Sequence, residues 1–131
     1  MRNNKALTLI ELIMVTIILG ILAAVAIPRY MTTVTMAEAA AEDAVISSIR
    51  AGLETYATEQ LMESGRRTWP DSPWSALATK PNGYTTDVTD ANTDGEWTYT
   101  TTSLKITHQR GNNAQFSWAY DVGTLGSRVS L

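Results

Sequence analysis

A single carboxylate stands in an otherwise apolar stretch near the start of the chain. Leu7 to Ile27 is a run of 21 residues whose only charge is Glu11. On membrane-insertion scales a charge at that depth costs about 2.5–3.5 kcal/mol or more, so such residues are normally kept for a partner. No Lys, Arg or His lies between Lys5 and Arg29, and those two flank the run. A better partner is a cation from another copy of the chain. A free amino terminus cut just before Leu7 would lie four residues from Glu11, at the same membrane depth. Copies packed side by side with one axial step between them would bring each amine to a neighbour's Glu11.

Two other groups invite a chemical reading. Asp90-Ala91-Asn92-Thr93-Asp94-Gly95 matches the first half of a calcium loop, D-x-N-x-D-G. The match then stops, because Thr101 stands where the bidentate Glu is expected. Asp87 or Glu96 could complete a non-standard site with Asp90, Asn92 and Asp94, and the alternative is an ordinary Asp/Asn/Gly turn. His108 is the only histidine and there is no cysteine, so no zinc set exists. No serine sits in a nucleophile elbow and no Gly-rich phosphate loop occurs. Nothing makes a positive case for an enzyme.

These residues need elements to position them. At 1.5 Å of rise per residue, Leu7–Ile27 as a helix is roughly 30 Å long, a bilayer's hydrocarbon thickness. Arg2 and Lys5 precede it without a neighbouring acid, which keeps the N-terminus cytoplasmic and exports everything after Pro28. An ordinary secretory signal competes, with Ala24-Val25-Ala26 as its A-x-A site, but Glu11 would then lie inside an apolar core longer than signals use. A plain signal anchor leaves Glu11 without purpose.

Lys5-Ala6-Leu7-Thr8-Leu9-Ile10-Glu11-Leu12, followed by Gly20-Ile21-Leu22-Ala23-Ala24-Val25-Ala26-Ile27-Pro28, resembles the N-terminus of type IV pilins and type II secretion pseudopilins. The resemblance implies removal of residues 1–6 by a prepilin peptidase between Ala6 and Leu7, followed by N-methylation of Leu7. Ala6 stands where the family usually has Gly, and Leu7 where it has Phe or Met. The resemblance makes Glu11 the assembly glutamate, Pro28 the kink of a long helix and Gly20 a second soft point. It also implies a bacterial inner-membrane subunit that passes from the bilayer into a pilus or periplasmic pseudopilus. Its partners would be other copies, related pilins, the peptidase and an inner-membrane assembly platform. Calcium held in a loop of the sheet region, as in major pseudopilins, would engage the Asp90 loop.

Beyond Pro28 the helical pattern continues. Tyr30, Val34, Ala37, Ala41, Val45, Ile49, Leu53 and Tyr56 recur at steps of three and four, with Glu38, Glu42, Asp43, Ser47, Arg50 and Glu54 mostly on the other side. Arg50 is spaced to reach Glu54 one turn on. Gly65 is placed to end the helix, with Pro70 beyond it. Residues 65–83 read as a loop with a helical turn near Ser75–Thr79. Arg66, Arg67, Trp69 and Trp74 in it are either an anion-gripping patch or, better, tryptophans packing the loop onto a sheet while the arginines stay solvated.

From Tyr84 the period becomes two: Trp97/Tyr99, Leu104/Ile106 and Phe116/Trp118/Tyr120 alternate with polar residues, and Val129/Leu131 close the chain. This predicts an antiparallel meander of three or four strands covered by the long helix, an α+β, pilin-like fold. The organisation read from the sequence is leader 1–6, spanning helix 7–27 and exported domain 28–131, with helix to about 64, loop 65–83 and sheet 84–131. The chain has 131 residues and a formal charge of −3, which gives no reason to expect nucleic acid. An exported domain this small without cysteine must be held by packing, or by a metal or neighbouring subunits. The function expected is that of a filament subunit. The alternative is a membrane-anchored or secreted module binding a ligand, calcium or a glycan through Trp69, Trp74 and the Asp90 loop without polymerising.

Overall fold

The computed structural model describes residues 8–85 and 89–131. The chain divides into two compact units, residues 1–40 and 41–131. One helix, α1 (Leu9–Ser64), contributes to both.

In the first unit α1 is long and apolar enough to cross a bilayer. Every side chain from Thr8 to Thr33 is exposed. The helix opens on a capping box: Thr8 Oγ1 accepts the Glu11 N–H at 3.2 Å, and Glu11 Oε2 accepts the Thr8 N–H at 3.1 Å. The threonines of this unit do not interrupt it. The hydroxyls of Thr16 and Thr32 donate to the carbonyls of Leu12 and Pro28, at 2.8 and 3.0 Å, so each polar group is satisfied locally. The helix runs through both Gly20 and Pro28. Pro28 lacks the N–H that would bond the carbonyl of Ala24.

In the second unit α1 buries Glu42, Ile46, Ile49, Leu53 and Ala57, one face at steps of three and four. That face is turned by one residue from the predicted stripe at Ala41, Val45 and Tyr56, sharing only Ile49 and Leu53 with it. Glu42, expected on the solvated side, is fully buried. Gly65 ends the helix at φ +73°, its N–H donating to Leu61 O at 2.8 Å, as a left-handed cap requires. A short 3-10 turn, Pro73–Ala76, slightly earlier than the predicted 75–79, lies against α1 at Gly52. A Cβ there would stand 2.3 Å from the Ala76 carbonyl oxygen, so only glycine fits.

The sheet has strands β1 (Trp97–Thr100), β2 (Lys105–Gln109), β3 (Gln115–Asp121), β4 (Thr124–Leu125) and β5 (Val129–Ser130), all antiparallel in order β1-β2-β3-β4. β5 pairs with the first half of β3 (Phe116↔Ser130) and β4 with its end, so the two share one edge. Trp97, Tyr99, Ile106, Trp118 and Tyr120 meet Ile46, Ile49, Leu53 and Trp74 in one core. Trp97 stacks on Trp118 with ring centres 5.6 Å apart, and Trp74 meets Trp97 edge-on at 6.1 Å.

The first strand of the sheet begins at Trp97 and not at Tyr84, which joins it through an isolated parallel bridge to Trp97. The segment before β1 instead covers the opposite face of the sheet. Ala91 is buried there, its N–H donating to Thr107 Oγ1 at 2.7 Å while its carbonyl accepts from Gln115 Nε2 at 2.7 Å. Thr98, Thr100, Thr107 and Gln109 are consequently buried, although alternation alone would place them in water.

Candidate functional site

The residues of the proposed cut, Ala6 and Leu7, lie outside the described residues, as does Asp87. Glu11 is described, exposed, in the first turn of α1. Its Oε2 is occupied by the Thr8 N–H, while Oε1 accepts nothing among the described residues. One oxygen of the carboxylate is thus held by the helix's own first turn. The Thr-x-x-Glu spacing that forms this box is plain in the sequence, yet the apolar run alone does not point to it.

The Asp90 loop is folded onto the sheet, and its polar groups are engaged within the protein. Asp90 accepts from Thr100 Oγ1 at 3.0 Å and lies 3.5 Å from Lys105 Nζ. Asn92 Oδ1 accepts the Thr93 hydroxyl, and Asp94 accepts from Gln109 Nε2 at 2.9 Å. Glu96 accepts the N–H groups of Asn92 and Thr93 and the Thr85 hydroxyl. The Asn92 N–H does most to hold the Glu96 carboxyl below the usual range; burial opposes it, and Thr85 and Thr93 add to it. Among the described residues no three His, Cys, Asp or Glu side chains are grouped to hold a metal ion.

The densest charge cluster is one that periodicity could not reveal. Glu42 Oε2 accepts His108 Nδ1–H at 2.8 Å, and Oε1 accepts the Arg110 Nε–H at 3.0 Å and a closer Arg110 NH2 donor. Arg128 reaches the same oxygen at 3.5 Å and Asp43 at 2.7 Å. Burial works against the charged form of Glu42, but hydrogen bonds from His108 and Arg110, and then their charges, outweigh it and hold the carboxyl below the usual range. Aromatic rings close the cluster: His108 stacks on Trp97 at 4.2 Å and the Arg110 guanidinium lies 4.0 Å over Phe116. Its effect is to tie α1 to β2 and to the C-terminal segment. Arg50, expected to pair with Glu54, instead donates to the carbonyls of Leu125 and Gly126 at 3.4 and 3.2 Å. Glu54 pairs with Arg67 at 2.7 Å. The loop tryptophans pack as expected, Trp74 buried and Trp69 half-buried under Arg67.

The geometry that could act outside the single chain is thus the exposed apolar helix with its one carboxylate. Residues 1–27 match the family model described as the prokaryotic N-terminal methylation motif. The chain carries the prepilin-type signature of type IV pilins and pseudopilins. No solved structure matches the chain. The motif implies processing by a peptidase and assembly with other pilins, and with the apolar helix it fits an inner-membrane single-pass protein. Around it the architecture is α+β and pilin-like: a long N-terminal helix followed by an antiparallel sheet.

Proposed function

We propose that the chain is a structural, non-enzymatic subunit of a type IV pilus-like filament or type II secretion pseudopilus, assembled through its N-terminal helix. The observation that carries this reading is the prepilin-type signature on an exposed, all-round apolar helix that holds a single carboxylate, Glu11. Before assembly the bilayer covers the apolar surface; in a filament the helices of neighbouring copies do so. The N-terminus starts in the cytoplasm, the peptidase cuts after Ala6, and Leu7 becomes the methylated first residue. Its amine then meets the Glu11 of a neighbour.

A buried pair of this kind adds little net stability, because desolvation offsets the attraction, but an unpaired Glu11 is costly. The pair therefore fixes the axial stagger of the filament more than its strength. Glu11→Ala should leave the chain inserted and its sheet folded while filaments disappear or fall sharply in electron micrographs of sheared material. Filaments of normal number and length from that variant would remove Glu11 from assembly.

A further inference from the structure

None of the residues from Thr124 to Leu131 is buried. They lie along the outer edge of β3, with β4 against its end and β5 against its first half. Beside those two short ladders, the Gly126 N–H donates to Ala119 O at 2.9 Å and the Leu131 N–H to Gln115 O at 3.0 Å. Of the apolar side chains, Leu125 packs against the core, while Val129 and Leu131 are exposed. Arginines add to the hold. Arg128 pairs with Asp43 on α1 at 2.7 Å and lies over the Phe116 and Trp118 rings, 6.0 and 5.7 Å from their centres. Arg50 of α1 donates to the Leu125 and Gly126 carbonyls. These contacts all join the segment to α1 or to β3.

The link between β3 and this segment is two residues long, Val122-Gly123, and both have positive φ, +35° and +88°. Two-residue hairpin turns of this kind favour Asn-Gly. Val122 is β-branched, so its Cβ is crowded in that region, and its side chain is 70% exposed, with little burial to offset the strain. A short hinge under strain favours exchange of the segment beyond it between copies. The strain goes when the hinge extends, and each contact of the segment is remade on the neighbour. A segment that opened without exchanging would instead leave the backbone groups of the β3 edge unpaired.

We infer that segment 124–131 is an exchangeable strap, which leaves the β3 of its own copy and pairs with the β3 of a second copy of the chain. The segment's own contacts choose that partner. Only another copy offers the same ladder, the acids Glu42 and Asp43 within reach of Arg128 and the Arg50 donor facing the Leu125 and Gly126 carbonyls. Since these contacts are the same in the closed and exchanged forms, the balance is set by relief of the hinge against the cost of association. The exchange does not depend on assembly through α1, although a filament would raise the local concentration of partners.

The test uses the full chain in detergent micelles. Ser117 and Val129 face each other across β3 and β5, and the chain has no cysteine. Copies carrying Ser117→Cys are mixed with copies carrying Val129→Cys under mild oxidation, and disulfide-linked dimers are counted on non-reducing gels. A mixture of Ser103→Cys and Val129→Cys, with Ser103 in the exposed β1–β2 turn, measures random collision. The 117/129 mixture should link at least about tenfold more than the control, and Val122→Asn in both copies should remove about tenfold of that yield by relieving the hinge. Amide exchange in the unaltered chain supplies a second readout that no variant can disturb. Gly126 and Leu131 should exchange together, at least about a hundredfold faster than Tyr120, whose N–H donates to Leu104 O on the opposite edge of β3. Equal yields from the two mixtures, a 117/129 yield unmoved by Val122→Asn, or Gly126 and Leu131 amides as slow as that of Tyr120 would each overturn the inference.

Discussion

Glu42→Gln probes the interior most sharply. The carboxylate is fully buried and receives Arg110, whose side chain is 6% exposed, together with His108 and the partly exposed Arg128. Glutamine keeps the shape and one acceptor oxygen but removes the charge, leaving the Arg110 guanidinium buried without its counter-ion. Removing one partner of a buried pair typically costs about 3–5 kcal/mol. A unit of this size has a total stability of roughly 5–13 kcal/mol, so the loss would be a large part of it. At about 4–8 °C per kcal/mol, unfolding should move down by some 12 °C or more. The assay is thermal or denaturant unfolding of the full chain in detergent, followed by near-ultraviolet circular dichroism, which reads Trp97 and Trp118 without contribution from the peptide signal of α1. Repeating it in an Arg110→Met background isolates the pair, and there Glu42→Gln should cost markedly less. A cost below about 1 kcal/mol in the native background would mean that Glu42 is hydrated and the cluster is a surface ion pair.

Two further outcomes follow from the same unit, and one contrast spans both. Since the Glu42 carboxyl is held below its ordinary 4.5, its contribution is fully present at neutral pH and is lost as pH falls below 4.5 through the folded value. Denaturant midpoints measured from pH 7 to pH 2 should therefore drop more steeply in the native chain than in Glu42→Gln, and parallel curves would refute this. Gly52→Ala should destabilise by about 1–3 kcal/mol despite the better helix propensity of Ala, since its Cβ meets the Ala76 carbonyl. Gly20→Ala, with open space around it, should instead leave helix content unchanged or raised by circular dichroism.

What the sequence made legible follows from which signals are local. The spanning helix, its carboxylate and the end at Gly65 are written in composition and in single residues. So is the inner face of the sheet, because Trp97, Tyr99, Trp118 and Tyr120 alternate with small or polar neighbours. Counting apolar positions places the helix face one residue out of register, because it assigns a glutamate to solvent. Glu42 is buried only by virtue of His108 and Arg110, 66 and 68 residues further on, which no periodicity connects to it. The same limit hid the outer face of the sheet. Thr98 and Thr107 read as solvent-facing until the segment carrying Ala91 lies over them and their hydroxyls meet at 2.5 Å. That segment reads either as a non-standard calcium loop or as an ordinary Asp/Asn/Gly turn, and in the fold these residues turn the chain and bond it to the sheet.

Assembly through the N-terminal helix requires the N-terminus to be cut and used. Its most direct test is the intact mass of the chain purified from its own membrane. A mass beginning at N-methylated Leu7 is the predicted result. A mass beginning at Ile27 would mean an ordinary signal sequence removed after Ala26, with Glu11 discarded along with it, and would contradict the filament-subunit reading.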